Sequence, residues 1–208
     1  MPDLVLDYHR KKIPIDHPDG SVTYAKLGNI PPKLFMRVES GGGFVYVDYL
    51  DGVPHVVIVL HTTTTSGVVE VFLPFRYSPP ATIEWTAKLS AKLANVDQWP
   101  LGLEDGPGFR NGIAFRQRYT TNQIDITTCS NGTCTSTNTT AYDPTVKHKY
   151  RVEWTSTGVN YYIDGNLVAT LTTNVPTVPM TPFSEYGNSS GSALNNVYPF
   201  YTFGGIIT

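Results

Sequence analysis

The sequence predicts an all-β domain, and its composition, its turn residues and the alternation of its side chains support this class. Of the 208 residues, 15% are charged and 12% are aromatic, and the chain contains 18 glycines and 16 prolines. Long helix-forming runs of Ala, Glu, Lys and Leu are scarce, whereas short β-branched and aromatic runs recur between turn residues. A chain of this length buries roughly 70% of its unfolded surface, so we expect one large β domain with a self-sufficient core.

Residues 1–33 differ from the rest and are interpreted as an N-terminal arm in front of a β domain that spans residues 34–208. The arm contains the basic triplet Arg10-Lys11-Lys12 and closes at Pro31-Pro32 without sustained periodicity. Its segment DGSVTYAKL, at residues 19–27, resembles units found in the shafts of viral and phage fibre proteins. The resemblance implies an arm that anchors the domain or forms a homo-oligomer, and a flexible terminus is the alternative.

Five strands are predicted in the first half of the β domain. Residues 56–60 are apolar on both faces, which is typical of a central strand. Further on, Ile83 and Trp85 alternate with Glu84 and Thr86, so one face packs and the other meets solvent or ligand. The predicted strands span residues 34–39, 44–50, 55–61, 68–75 and 82–93.

The second half of the domain is predicted to contain two long loops. Residues 95–108 and 174–191 are rich in turn residues, and a loop as long as the second is usually functional or mobile. A Thr/Asn-rich excursion is predicted over residues 127–140. Further strands are predicted at residues 112–119, 123–128 and 193–203.

The clearest pattern in the chain lies between residues 148 and 171. Tyr150, Val152 and Trp154 alternate with polar residues, and the alternation resumes at Val159 after a turn at Gly158. A second turn, Asp164-Gly165-Asn166, then reverses the chain, because Gly tolerates positive φ and Asp or Asn bonds its own backbone. The pattern predicts a three-stranded antiparallel meander.

These residues resemble the concanavalin-A-like lectin/glucanase superfamily, particularly the laminarinase-like glycoside hydrolases. The resemblance is carried by Val152-Glu153-Trp154 and Ile163-Asp164-Gly165, and more loosely by QWPLGL at residues 98–103 and NVYPFY at residues 196–201. It implies a jelly-roll sandwich of two curved antiparallel sheets whose concave face often holds sugar. Such a fold does not by itself establish an activity.

Cys129 and Cys134 flank the turn sequence SNGT and are interpreted as a disulfide that staples a hairpin, with free thiols as the alternative. On the chain-entropy model a disulfide here stabilises the fold by roughly 2 kcal/mol. It would indicate an environment outside a reducing cytosol, or a hyperthermophile's cytosol. Candidate N-glycosylation triplets begin at Asn131, Asn138 and Asn188.

Charge and hydropathy argue against two classes of partner. The net charge of −2 and the pI near 6.2 provide no positive field for nucleic acid. No apolar run approaches the roughly 18 residues of a membrane helix, and the first residues lack the basic start and apolar run of a signal peptide. We expect a protein of the extracellular space or a virion surface, without a secretory signal peptide and without a membrane span.

A carbohydrate-binding face is predicted on the strands near residues 82–93, 112–119 and 123–128. If their apolar residues pack inward, their polar residues project together from one sheet. Guanidinium, amide and carboxylate groups bind vicinal hydroxyls, and aromatic rings stack on sugars. The predicted ligand-binding residues are Glu84, Trp99, Arg116, Arg118, Gln123, Asp125 and Tyr186. A solvated or core-anchoring role is the alternative for each.

A pair of catalytic acids is not recognisable in the sequence. Hydrolases of the resembled superfamily carry Glu-x-Asp-x-Glu or Glu-x-Asp-x-x-Glu on one strand, where alternate side chains share a face. In the nearest stretch, QIDITT at residues 123–128, Gln and Thr replace the outer acids and leave Asp125 alone. Glu104 and Asp105 are adjacent in a predicted loop. We therefore predict no catalytic residue, no metal and no cofactor.

These observations favour a non-catalytic carbohydrate-binding or structural surface module, such as a virion or fibre head that recognises host glycan. A glycoside hydrolase or polysaccharide lyase with unusual carboxylates is one alternative. A purely structural coat or filament subunit is another. The decisive observation is whether two carboxylates approach within about 6 Å on the ligand face, as retaining hydrolysis requires.

Overall fold

The computed structural model describes most of the chain as β-strands. It describes the backbone of residues 12–16, 22–26, 35–40, 42–50, 53–61, 67–72, 76–89, 96–106, 108–118, 122–188 and 198–207, and the side chains of 76–88, 98–106, 108–117 and 122–185. The strands are β1 (Lys12–Asp16), β2 (Val22–Lys26), β3 (Phe35–Ser40), β4 (Gly42–Leu50), β5 (Val53–His61), β6 (Gly67–Phe72), β7 (Ala81–Leu89), β8 (Val96–Glu104), β9 (Gly112–Arg118), β10 (Ile124–Ser130), β11 (Thr133–Thr139), β12 (His148–Trp154), β13 (Val159–Ile163), β14 (Asn166–Leu171), β15 (Thr181–Asn188) and β16 (Tyr198–Ile207).

Fourteen of these strands form two seven-stranded antiparallel sheets. We call the first the front sheet, with strand order β11-β10-β9-β8-β15-β6-β3, and the second the back sheet, with order β14-β13-β12-β7-β16-β5-β4. Neighbours in a sheet come from distant parts of the chain, as β8 beside β15 and β7 beside β16 show. The predicted all-β class is confirmed.

The core lies between the two sheets and follows the alternation of the strands. On the back sheet, Trp85, Val152 and Trp154 are among the fully buried side chains. On the front sheet, Phe115 and Ile126 face them from β9 and β10. Since adjacent side chains on a strand point to opposite faces, every second residue of β9 and β10 is left for the outer surface of the front sheet, which we call the front face.

The predicted meander at residues 148–171 is confirmed as β12, β13 and β14. Val152 pairs with Tyr161, and Tyr161 pairs with Ala169, before an irregularity at Tyr161/Tyr162 shifts the β14 register. The second turn has positive φ at Asp164 and Gly165, as the predicted turn chemistry requires. Most of this back-sheet segment therefore follows from local sequence alone.

Three segments that the sequence predicted as irregular are strands in the structure. The predicted loops at residues 95–108 and 174–191 contain β8 and β15, which pair with each other, and the excursion at 127–140 contains β11. Pro100 lies where the β8–β9 register is irregular, and Pro182 is the second residue of β15. Proline is accommodated at such positions because no sheet hydrogen bond there requires the N–H that proline lacks. The predictions of irregular structure over these segments were therefore wrong.

The predicted N-terminal arm contains a hairpin in which β1 and β2 pair in antiparallel register from Lys12↔Lys26 to Asp16↔Val22. The predicted boundary near residue 33 lies outside the described residues, and the division into arm and sandwich stays a prediction.

The described residues contain no helix of the length and apolarity that crossing a membrane requires. The predicted disulfide is confirmed: Cys129 and Cys134 are bonded across the β10–β11 hairpin.

Candidate functional site on the front face

Side chains from five strands form a row across the front face. Asp125 on β10 pairs with Asn138 on one side and with Arg116 on the other. Beyond Arg116, Trp99 lies in the irregular part of β8 and pairs with Glu185 on β15. The row brings together residues that are up to 86 positions apart, from Trp99 to Glu185.

Asp125 is held by its neighbour on the same side of the strand. The Gln123 Nε2 donates a hydrogen bond of 2.7 Å to Asp125 Oδ1. Thr127, two residues further along the same face, bonds the Ser136 hydroxyl at 2.9 Å. Gln123, directly before β10, and Asp125 and Thr127 on β10 therefore present an amide, a carboxylate and a hydroxyl on the front face.

An aromatic cluster lies beside this row. The Trp99 ring centroid is 5.1 Å from that of Phe109 and 5.9 Å from that of Phe183. The Arg116 guanidinium carbon lies 5.0 Å from the Trp99 ring centroid, which is cation–π distance. We call Trp99, Phe109, Arg116, Asp125 and Phe183 the front-face cluster.

Two glycines allow these rings to lie close to the sheet. A Cβ at Gly102 would come within 2.3 Å of the Phe183 ring, and a Cβ at Gly112 would come equally close to the Phe109 ring. Any larger residue at either position would displace the ring. The glycines therefore shape an aromatic surface on the front face.

A short loop between β8 and β9 positions Phe109. Asp105 accepts hydrogen bonds from the backbone and side-chain amides of Asn111, at 3.2 and 2.7 Å, and its own backbone N–H donates to the Asn111 carbonyl. Burial acts to raise the pKa of Asp105, but the hydrogen bonds from Asn111 and the nearby Arg110 outweigh it and lower the pKa below its ordinary value. Phe109 itself has a φ of 50°, which is uncommon for a bulky residue and typical of functional loops.

The Trp99 indole Nε1 is a buried donor of the cluster. Among the described residues, no group accepts a hydrogen bond from it, although that atom is shielded from solvent. An unpaired buried donor is costly, so Trp99 is a candidate for contact with a ligand.

The front face does not bring a second described carboxylate beside Asp125. The positions that adjoin Asp125 in the register hold Asn138, Arg116, Gln123 and Thr127. Glu185 lies three strands away, about 14 Å at ordinary strand spacing. Retaining hydrolases need carboxyl groups about 5 Å apart and inverting ones about 6.5–9.5 Å, and no described carboxylate adjoins Asp125 at that spacing in this register.

The predicted ligand-binding residues are only partly brought together. Trp99, Arg116, Gln123 and Asp125 share the front face. Glu84 does not, because β7 belongs to the back sheet, where Glu84 contacts Lys149 at 3.1 Å. Placing it with the others was wrong, since the strands of residues 82–93 and 112–119 were assigned to one sheet.

The side chains of Arg118 and Tyr186 lie outside the described residues, as does that of the candidate glycosylation site Asn188. Asn131 and Asn138 are exposed on the β10–β11 hairpin, and their glycosylation stays a prediction. Within the described residues, no group of three or more His, Cys, Asp or Glu side chains is arranged to hold a metal.

Sequence reasoning missed Phe109, Phe183 and Glu185 as front-face residues. Phe183 and Glu185 lie in the predicted loop at residues 174–191. Phe109 directly follows Gly108, the last residue of the predicted loop at residues 95–108. For Phe109, the signal was Gly112 three residues later, since glycine in a strand often marks a close approach.

Comparison with known proteins agrees with this architecture. Residues 117–192 match the sequence model of Glycosyl hydrolases family 16. No curated protein sequence matches the chain significantly. The matched region includes β10, with Asp125, and the complete meander.

Solved structures extend the similarity to most of the chain. A Bacillus licheniformis β-glucanase is 16% identical, with a TM-score of 0.64 over 85% of this chain and 94% of that one. The catalytic domain of a Thermotoga petrophila endo-1,3-β-glucanase (laminarinase) is 17% identical, with a TM-score of 0.59 over 77% and 78%. A Bacteroides ovatus GH16 protein of a mixed linkage glucan PUL, in complex with a G4G4G3G product, is 10% identical, with a TM-score of 0.63 over 79% and 85%.

These findings correct the functional expectation. The family match and the glucanase neighbours overturn the interpretation as a non-catalytic viral fibre or structural surface module, and they favour the glycoside hydrolase alternative. The resemblance of the arm to fibre shafts receives no support. The chain has the jelly-roll sandwich fold of the concanavalin-A-like β-glucanases, and residues 117–192 match glycoside hydrolase family 16.

Proposed function

We propose that this chain is a glycoside hydrolase of the family 16 type that acts on a neutral β-linked glucan, with Asp125 as its reacting carboxylate. The observation that carries the proposal is the family 16 match over residues 117–192, which includes the front-facing strand that bears Asp125. The glucanase-like fold over most of the chain supports it.

The chemistry of the front-face cluster suits a neutral sugar chain. Trp99 and Phe109, whose side chains are half-buried, lie 5.1 Å apart, and the buried Phe183 ring lies 5.9 Å from Trp99. Aromatic rings stack on the apolar faces of pyranoses. The unsatisfied Trp99 Nε1 would donate to a sugar oxygen. Within the row, Asp125 and Glu185 outnumber Arg116 among the described charged side chains, which disfavours an acidic polysaccharide.

We expect slow hydrolysis, because no second carboxylate adjoins Asp125 among the described residues. Asp125 would stabilise the positive charge that develops at the anomeric carbon while water attacks it and the glycosidic C–O bond breaks. The leaving oxygen would take its proton from solvent, because Gln123 and Thr127 cannot act as acids near neutral pH. A positioned general acid contributes roughly 10²- to 10⁴-fold, and we expect the rate to be lower by about that factor than with a complete pair.

The proposal is tested by measuring reducing ends released from laminarin and from mixed-linkage β-glucan. We expect the wild-type chain to release them slowly and Asp125→Asn to abolish the release. Gln123→Glu combined with Thr127→Glu should raise the rate by roughly 10²- to 10⁴-fold, because residues four apart on a strand share a face and two glutamate side chains can converge over the roughly 13 Å between their Cα atoms. Asn160→Asp, on the back sheet, is the control that adds a carboxylate elsewhere.

Two results would overturn the proposal. One is the absence of release from every glucan tested, in both the wild-type chain and the folded double variant. The other is release that persists unchanged in Asp125→Asn. Glucan binding without turnover in either protein would also count against hydrolysis.

The disulfide between Cys129 and Cys134 suits an oxidising environment. We therefore propose that the glucan is met outside the cell.

A further inference from the structure

We propose that β11 is a dimerisation edge, where two copies of this chain join their front sheets by antiparallel pairing about a two-fold axis at Ser136. The proposal is independent of the proposed activity. It rests on the hydrogen-bonding geometry, the composition and the exposure of β11.

The register of the β10–β11 hairpin determines which backbone groups of β11 point away from the sheet. Directly opposite residues in an antiparallel pair alternate between hydrogen-bonded pairs, with Cα atoms about 5.5 Å apart, and non-hydrogen-bonded pairs at about 4.5 Å. Cys129 and Cys134 are directly opposite, and their Cα atoms are 4.1 Å apart, so this pair is of the second kind. The backbone N–H and C=O groups of Cys134 therefore point away from β10. The same holds for Ser136 and Asn138, which lie two and four residues further along the strand.

These three residues are accessible to a partner. Cys134, Ser136 and Asn138 are all exposed. Among the described strands, β11 has β10 on one side and no strand on the other. Its outward backbone groups thus form a free edge of the front sheet.

The edge lacks the features that usually prevent strand addition. Charged residues, prolines and bulges normally protect exposed edges. β11 has the sequence TCTSTNT and pairs with β10 in seven consecutive positions without a register shift. The neighbouring back-sheet edge, β14, contrasts with it, because the β13–β14 register shifts at Tyr161/Tyr162. Of these two uncharged edges, only β11 pairs with its neighbour without a register shift.

A second copy of β11 fits this edge better than an unrelated strand. Ser136 is the middle residue of β11, and a two-fold axis there pairs Ser136 with its counterpart and Cys134 with Asn138 of the second copy. This arrangement satisfies about six backbone groups on each edge strand by forming about six hydrogen bonds. The absence of charge removes the repulsion that like charges would cause in a symmetric pair.

The two-fold axis also determines the relative orientation of the two sandwiches. A two-fold axis perpendicular to the sheet places both front faces on the same side, in one sheet of fourteen strands. The front-face cluster of each copy then lies on a shared surface.

The first test measures mass in solution for the complete chain. We expect light scattering across a concentration series to show a dimer of twice the 22.9 kDa chain. Ser136→Pro removes an outward N–H that β10 does not use, so it should weaken the dimer at least tenfold while the thermal unfolding midpoint of the monomer changes little. Ser136→Lys, which adds a charge at the axis, serves as a second variant should proline disturb the hairpin.

The second test is a cross-link that only this axis predicts. Ser136→Cys places two thiols on residues about 5.5 Å apart, within the range of a disulfide, and should give a covalent dimer on mild oxidation. Thr139→Cys is the matched control, because its counterpart lies about 20 Å away along the paired strands.

A monomer at every concentration would overturn the proposal. So would a dimer that survives both Ser136→Pro and Ser136→Lys, and loss of the dimer only when residues 1–33 are deleted would assign it to the arm instead. Equal cross-linking at positions 136 and 139 would exclude the axis.

Discussion

The meander at residues 148–171 and the front-face cluster differ in how they are assembled. In the meander, the interacting groups are close in sequence: the Tyr162 hydroxyl donates to Glu153 at 2.7 Å, and Arg151 stacks over Tyr162 at 4.1 Å. In the front-face cluster, Trp99 contacts Phe183, which is on another strand and 84 positions later. One region is built from consecutive strands and the other from strands that meet only in the folded sheet.

The tryptophans of the two regions also differ in their partners. The indole Nε1 of Trp154 donates to the Pro176 carbonyl, whereas that of Trp99 has no described acceptor. His148 in the meander likewise contacts the Asp164 carboxylate at 2.6 Å and the Asp143 carbonyl at 2.9 Å. We therefore expect Trp154 to stabilise the fold and Trp99 to contact a ligand.

The largest predicted effect compares these two tryptophans. Trp154 is 1% exposed and hydrogen-bonded, so Trp154→Ala should reduce the free energy of unfolding by about 3–5 kcal/mol. Trp99→Ala removes a half-buried ring and should reduce it by less than half as much, while it weakens glucan binding about tenfold. Chemical denaturation and glucan titration of both variants measure the difference. Equal losses of stability would show that Trp99 is a core residue.

The next prediction concerns the disulfide of the β10–β11 hairpin. Replacement of Cys129 and Cys134 by alanine should lower the free energy of unfolding by about 2 kcal/mol, because the bond closes a short loop in the unfolded chain. A reducing agent should lower the stability of the wild-type chain similarly and leave the double variant unchanged. Hydrogen exchange should increase mainly in β10 and β11, and an equal increase in β12 and β13 would contradict a local role.

A third prediction tests the link between the two regions. The Tyr161 hydroxyl donates to the Thr127 carbonyl at 2.8 Å and joins the meander to β10, and burial raises the pKa of Tyr161 well above its ordinary value. Tyr161→Phe removes this hydrogen bond and should cost about 1.5 kcal/mol of unfolding free energy. Tyr162→Phe is the matched control, since its hydroxyl bonds Glu153 at the surface, and it should cost less. Denaturation that ranks the two variants the other way would contradict this link.

The same contrast explains how much of the molecule could be predicted from sequence. The meander and its turn at Asp164-Gly165 were predicted because apolar alternation and turn chemistry are local signals. Strands β8 and β15 were missed because Pro100, Gly102 and Pro182 are typical of loops, and only their positions at irregularities or strand starts make them compatible with a sheet.

The candidate site was predictable to the same extent. Gln123 and Asp125 lie on one face because they are two residues apart at the start of β10, and their role in ligand binding stays a prediction. Glu84 was placed wrongly because side-chain alternation gives the face of a strand and does not give the sheet to which the strand belongs. Phe183 and Glu185 could not be found without the pairing of β15 with β8.

The smallest predicted effect tests the loop that holds Phe109 in the front-face cluster. The pKa of Asp105 is lowered from its ordinary value of 3.8, because hydrogen bonds from Asn111 and the charge of Arg110 outweigh burial. A lowered pKa in the folded state means that Asp105 contributes stability above pH 3.8 and loses it as the pH falls through the folded-state pKa. We expect Asp105→Asn to cost about 1 kcal/mol at neutral pH and to flatten the acid side of the stability profile.

Denaturation midpoints from neutral pH to pH 3 and below measure this effect, with Asn111→Ala as the variant that removes the side-chain donor and keeps the carboxylate. Asp105→Asn should converge on the wild-type midpoint in acid, because Asp105 of the wild type is then protonated. Asn111→Ala should remain less stable there, because it also removes the acceptor of the Asn131 N–H. Parallel profiles for wild type and Asp105→Asn would mean that the loop is stabilised by other contacts. In that case the orientation of Phe109 would depend on its packing against Gly112 and Trp99 rather than on the Asp105–Asn111 pair.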